Sequence, residues 1–173
     1  ARAARRSGAV TTLPESPRPN VIFWFVGALV FGVGLLAIVS GVGQVLQSID
    51  RPDLFGARGS AALADAIGRV IWGAVTLTTG AYIWRGARHR GWHDRLGRII
   101  IIVGYVLVGV ALDQASHRSM DLWAAASDSE AEAVLVDSMV RYLAWGVPGA
   151  FLVFIGTRMA NEKPLMSVSA KLG

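Results

Sequence analysis

Four apolar runs separated by polar segments predict four membrane-spanning helices. The runs cover about 21–46, 63–84, 96–115 and 139–159. At 1.5 Å per residue each is long enough to cross a hydrocarbon core of roughly 30 Å. The predicted fold class is therefore all-α: an integral membrane four-helix bundle over 21–160, with polar tails at 1–20 and 161–173.

Composition supports one membrane domain and narrows the chemistry. The 173 residues are 53% hydrophobic and 17% charged, against roughly 25% charge in a soluble domain. The absence of cysteine excludes disulfides, thiolate metal sites and thiol catalysis. The net charge of +5 lies in segments between the runs, so membrane topology explains it and no nucleic-acid partner is predicted.

The distribution of charge predicts the orientation. The basic loop Arg85–Arg98, which reaches into the start of the third run, contains five arginines: Arg85, Arg88, Arg90, Arg95 and Arg98. This loop, the two tails and Arg158 at the end of the fourth run hold 12 of the 17 Lys and Arg residues, whereas nine of the 12 Asp and Glu residues lie on the other side. The positive-inside rule then places both termini in the cytoplasm, in a membrane of the bacterial inner type. The five arginines are also predicted to contact anionic lipids.

The last link between runs is the longest and the most acidic. Alanine and glutamate dominate 124–136, which suggests a short helix lying at the membrane interface.

Small residues recur every seven positions within each run. The third run, for example, has Gly97, Gly104 and Ala111, and the second has alanines 66 and 87 around its two glycines. Small residues allow membrane helices to approach closely. We expect these faces to serve either in packing within the bundle or in docking a partner subunit. The nine glycines concerned are Gly27, Gly34, Gly41, Gly73, Gly80, Gly97, Gly104, Gly149 and Gly156.

An acid and a base four residues apart open the second and the fourth run. Asp65 and Arg69 recur 72 residues later as Asp137 and Arg141. The spacing predicts an ion pair along each helix. It also suggests a duplicated helical hairpin, although charged residues are common at membrane interfaces in any case.

Six polar residues are expected to meet at the outer end of the helices: Gln44, Asp65, Arg69, Asp113, His117 and Arg141. One hypothesis is a vestibule for a polar or ionic ligand, because ionisable residues in spans usually face the bundle interior. The other is that they reach water at the interface and orient the helices through salt bridges.

No motif in the chain predicts catalysis, a cofactor or a metal. His89 and His93 have a spacing that suits a metal on a helix, but they lie among five arginines and Gly91 separates them. The sequence contains no zinc-protease motif, phosphate loop or nucleophile elbow.

Three functions remain open. The first is a non-enzymatic accessory subunit of a larger membrane complex, of the respiratory or photosynthetic type. The second is a small oligomeric channel or transporter with the outer charges as its vestibule. The third is a module that binds lipid, quinone or pigment. The predicted partners are membrane lipids together with other membrane subunits or further copies of the chain.

Overall fold

Four long helices make up the protein. The computed structural model describes residues 20–50, 56–87, 92–125 and 127–160. They form α1 (Val21–Ile49), α2 (Ala57–Gly86), α3 (Trp92–Ala124) and α4 (Asp128–Met159), with no strand in these ranges. All four are long and apolar enough to cross a membrane. The all-α prediction is thereby confirmed, and each predicted run falls within one helix.

Side-chain caps set the beginning of α1 and of α4. The Asn20 carboxamide oxygen accepts a hydrogen bond from the Ile22 amide at 3.1 Å. The Ser127 hydroxyl accepts from the Glu130 amide at 3.3 Å, as in a Ser-x-x-Glu N-terminal cap. Because α4 begins at 128, residues 128–136 are its first turns. The structure does not show the separate interfacial helix predicted over 124–136.

The first hairpin is α1 packed antiparallel on α2. A Cβ added at Gly34 would lie 2.8 Å from the carbonyl oxygen of Gly73, and one added at Gly73 would lie 3.0 Å from that of Gly34. The same contact recurs seven residues before and after Gly34 on α1. Gly27 meets Gly80 of α2, and Gly41 meets Ala66 of α2. The backbones therefore touch at every repeat of the glycine series.

The second hairpin, α3 on α4, is built on the same plan. A Cβ added at Gly104 would lie 2.7 Å from the carbonyl oxygen of Gly149, and one added at Gly97 would lie 2.8 Å from that of Gly156. All nine glycines of the seven-residue series thus lie in contacts between the two helices of their own hairpin. Their faces are covered within the chain and are not available to a partner.

The helices form an open row in sequence order. Helix α2 packs on α3, but within the described ranges α1 contacts neither α3 nor α4, and α4 contacts only α3. A single chain therefore does not close into the bundle that the sequence predicts. We call the contact between α2 and α3 the central seam. At this seam Tyr82 is fully buried, and its ring lies 6.0 Å from that of Tyr105. Tyr82 also belongs to a buried cluster with Ile101, which packs against Gly156 of α4.

The two ends of the row differ in charge. At one end, the Asn20 amide donates to the Ala87 carbonyl at 2.9 Å, and Gly97 packs against the backbone of Ala160. We call this the basic end, because its described charges are Arg85, Arg95, Arg98 and Arg158 against Asp94. The opposite, acidic end has four described arginines and eight acids. The arginines are 58, 69, 118 and 141, and the acids are 50, 65, 113, 121, 128, 130, 132 and 137.

Candidate functional site

Three of the six residues of the predicted outer cluster meet across the central seam. The His117 Nε2 atom lies 3.9 Å from an oxygen of Asp65 on α2 and 3.9 Å from an oxygen of Asp113 on its own helix. Gly68 makes room for this approach, since a Cβ there would lie 2.5 Å from the Asp113 carboxylate. Both distances exceed a hydrogen bond, so the attraction is electrostatic and depends on protonation of the histidine.

Water reaches this acidic-end cluster. The Asp65 side chain is 72% exposed and that of His117 is 46% exposed, so solvent screens their interaction. Within the described ranges, no group of three or more His, Asp or Glu side chains is placed to hold a metal ion. The arrangement suits a weak, hydrated contact between two helices.

Arg141 belongs to a different group of charges. Its Nε atom lies 2.9 Å from the carboxylate of Asp137, which also accepts Arg118 from α3 at 3.3 Å. Arg118 in turn lies 3.1 Å from Asp121. This network joins α3 to α4 at the acidic end, and it includes the predicted Asp137–Arg141 pair.

The remaining predicted cluster members stand apart. In the part of the chain that the structure describes, no ion pair joins Asp65 to Arg69, and neither Arg69 nor Gln44 makes a side-chain hydrogen bond. The structure therefore divides the six residues into a histidine–carboxylate group at the seam, one arginine in the α3–α4 network and two separate side chains. The two acid–base pairs of the suggested duplication also differ in their partners.

Arg98 organises the basic end. Its guanidinium contacts both carboxylate oxygens of Asp94, at 3.0 and 3.4 Å, and donates to the Tyr82 carbonyl of α2 at 3.1 Å. Only 5% of the Arg98 surface is exposed. Its side chain passes close to Gly86, where an added Cβ would lie 3.3 Å from the Arg98 Cδ atom. Arg98 is thus a buried connection between α3 and α2 as well as a member of the predicted lipid-contacting set.

The other members of that arginine set divide into two groups. Arg85 and Arg95 are exposed at the basic end. Arg88 and Arg90 lie outside the described residues, as does His89.

A cavity of about 700 Å³ opens between the beginnings of α1 and α3 and the end of α2. Its walls are mostly apolar, and two arginines near the start of α3 line it. The side chains that matter for its chemistry are Phe23, Ile83, Arg95, Arg98, Ile99 and Ile102. The sequence alone does not reveal this space, because the space depends on how three helices that are separate in the sequence come together.

Comparisons with known proteins assign no function to either end of the chain. No family model matches it, and no curated protein or solved structure is similar to it. Its function therefore has to be argued from the arrangement of its own residues.

Proposed function

We propose that this protein is a non-enzymatic structural subunit of a larger membrane complex, which it joins through the outer face of α1. The main support is the placement of two glycines outside the seven-residue series. A Cβ added at Gly32 or at Gly43 would meet nothing within 4 Å. Both positions lie nearly opposite Gly34 and Gly41 on the helix, at 3.6 residues per turn. They provide a shallow strip on which another helix can pack closely.

The open row of helices adds to this argument. Helix α1 packs on α2 alone, and its outer face presents large apolar side chains beside the two glycines, with Phe25 at 61%, Val39 at 63% and Leu46 at 61% exposed. Lipid can cover such a face, but lipid does not benefit from the exposed glycines. A partner helix does, because dispersion contacts improve as backbones approach.

The decisive experiment is the native mass of the assembly after gentle extraction with surrounding lipid, with all co-purifying chains identified. A larger assembly of fixed stoichiometry is expected for the wild type. Gly32→Leu should release the partner while the isolated chain keeps its thermal stability, because the new side chain meets nothing within its own chain. Ala150→Leu is the matched control, since it places the same leucine side chain at an exposed position of α4.

Two outcomes would contradict the proposal. One is a wild-type chain that is extracted alone. The other is a loss of partner that is equal for Gly32→Leu and Ala150→Leu, which would indicate a general effect of added bulk.

A small channel or transporter is the second candidate, and the group formed by Asp65, Asp113 and His117 supports it. Because the single chain does not close around a lumen, this function needs a second copy to complete a pathway. In that case a small homo-oligomer is extracted, and Asp113→Ala or Arg69→Ala abolishes flux while assembly survives. If the same substitutions lower only the amount of folded protein, these residues are structural.

We propose that the basic end lies in the cytoplasm. Support comes from the four arginines against one aspartate among the described residues of that end. A reporter fused after Ser60 should report the opposite side of the membrane, and a cytoplasmic signal there would reverse the orientation.

A further inference from the structure

The cavity at the basic end has the polarity of a membrane lipid. Along α3, Arg95, Arg98, Ile99 and Ile102 follow one another at helical spacing and so share one face of the helix. The arginines stand toward the end of the row and the isoleucines toward its middle. The wall thus changes from cationic to apolar in the direction in which a lipid changes from head group to acyl chain.

The cavity also lies at a suitable depth. Trp24 on α1 and Trp84 on α2 pack edge to face at 5.6 Å beside this end, and Trp92 at the start of α3 is 71% exposed. Tryptophan concentrates at the boundary between head groups and acyl chains. Three tryptophans therefore indicate that the cavity opens at the level where lipid head groups lie.

The two arginines at the cavity have different roles. Arg98 is held by Asp94 and by the Tyr82 carbonyl, so it shapes the wall, and the neighbouring carboxylate partly offsets its positive charge. Arg95 is exposed, and within the described residues no carboxylate pairs with it. Its guanidinium can donate to a phosphate through two N–H groups at once.

We infer that this cavity binds one anionic phospholipid of the surrounding bilayer, with the phosphate at Arg95 and an acyl chain along Phe23, Ile83, Ile99 and Ile102. Basic pockets between spanning helices are a known way in which proteins select anionic head groups. A volume of about 700 Å³ lies within the usual range of ligand pockets. The inference uses the isolated chain and does not depend on the proposed partner subunit.

The test is lipid retention by the full chain in nanodiscs of equal parts phosphatidylglycerol and phosphatidylcholine, read by native mass spectrometry. The wild type is expected to retain one phosphatidylglycerol in preference to phosphatidylcholine. Arg95→Ala should lower that preference about fivefold, the effect of one basic residue at an anionic surface. Arg85→Ala is the matched control, because Arg85 is exposed at the same end but does not line the cavity.

A second pair of variants tests the cavity itself. Ile99→Trp should fill the cavity and expel the retained lipid. Val103 lies one turn further along α3 and outside the cavity, so Val103→Trp should leave lipid retention unchanged. Both positions are partly exposed, at 57% and 45%, so the fold can accept either side chain.

Three results would overturn the inference. Equal losses for Arg95→Ala and Arg85→Ala would show diffuse attraction to the membrane surface without a site. Equal retention of the two lipids by the wild type would show an apolar pocket without charge selection. A retained quinone or other neutral molecule that Ile99→Trp expels would show a different occupant.

Discussion

The hairpin contacts and the central seam join helices in two different ways. In each hairpin, glycines on both helices bring backbone against backbone, and an added Cβ would meet main-chain atoms at 3.0 Å or less. At the seam the contacts are made mainly by side chains. Arg98 bonds to α2 at one end, His117 lies near Asp65 at the other, and Gly109 meets Val75 between them.

This difference indicates which contacts can adjust. A backbone contact has no rotamer that could relieve an added atom, so it specifies one register and one distance. A side-chain contact can yield by rotation about its χ angles. The hairpins should therefore behave as two rigid units, and the seam should tolerate change. Both the proposed lipid cavity and the histidine–carboxylate group lie at the seam.

The largest expected loss of stability follows from adding a side chain at a glycine between the two helices of a hairpin. Gly34→Leu would overlap the backbone of Leu77 and should lower the free energy of unfolding by about 3 kcal/mol. Reversible unfolding of the chain in bicelles measures this loss. Gly32→Leu, two residues away with open space around it, should leave the stability nearly unchanged. Equal losses would mean that the hairpin is not held by close backbone contact.

Removal of the buried arginine of the seam should have the next largest effect. Arg98→Ala breaks a charge-assisted pair with Asp94 and a hydrogen bond to α2, at a cost of about 2–3 kcal/mol in unfolding free energy. The exposed Arg85→Ala should cost less than about 0.5 kcal/mol in the same assay. Arg98→Lys should recover only part of the loss, because an ammonium group lacks the planar fork that makes all three contacts.

A smaller effect is expected where a glycine of the seam meets only a flexible side chain. Gly68→Ala would contact an oxygen of Asp113 at 2.5 Å, with the next atom at 3.7 Å, so rotation of the carboxylate relieves the overlap. The expected cost is below about 1 kcal/mol. Gly73→Ala, five residues along the same helix, meets the Ile38 backbone at 2.8 Å and should cost more. If Gly68→Ala is the more damaging of the two, the seam is the rigid contact and the comparison fails.

The smallest expected effect concerns the charges of the second hairpin at the acidic end. Arg141→Ala removes an exposed pair with Asp137 and should cost less than about 1 kcal/mol at low salt. At 1 M salt the cost should nearly vanish, because screening acts within a few ångströms. A loss that is independent of salt would show that Arg141 contributes through packing of its stem.

The sequence predicted those parts of the fold that depend on local patterns. Apolar runs located all four helices, and the seven-residue spacing of small residues marked the faces that meet in each hairpin. Hydropathy alone placed the beginning of α4 near 139, because it detects the apolar part of a helix and not its polar first turns. The Ser127-x-x-Glu130 pattern was present as a signal for the true start.

The site features that depend on long-range geometry could not be predicted. Arg98 was grouped with four other arginines because its sequence neighbours are similar, yet it is only 5% exposed and bonds to a carbonyl 16 positions earlier in the chain. Likewise, the sequence places six polar residues near the same end of the helices and so predicts that they meet. They do not all meet, because the open row keeps α1 and α4 apart. The position of each residue along its helix was predictable, whereas the arrangement of the four helices beside one another was not.

The contact order of the helices has a consequence for biogenesis. Each described helix packs only on the helix before or after it in the chain. As translation proceeds, α2 can dock on α1 before α3 is made, and α4 completes the row without displacing an earlier contact. Such neighbour-to-neighbour assembly has a low entropic barrier and leaves no early helix waiting for a distant partner. The order of synthesis is thus also the order in which the native contacts can form.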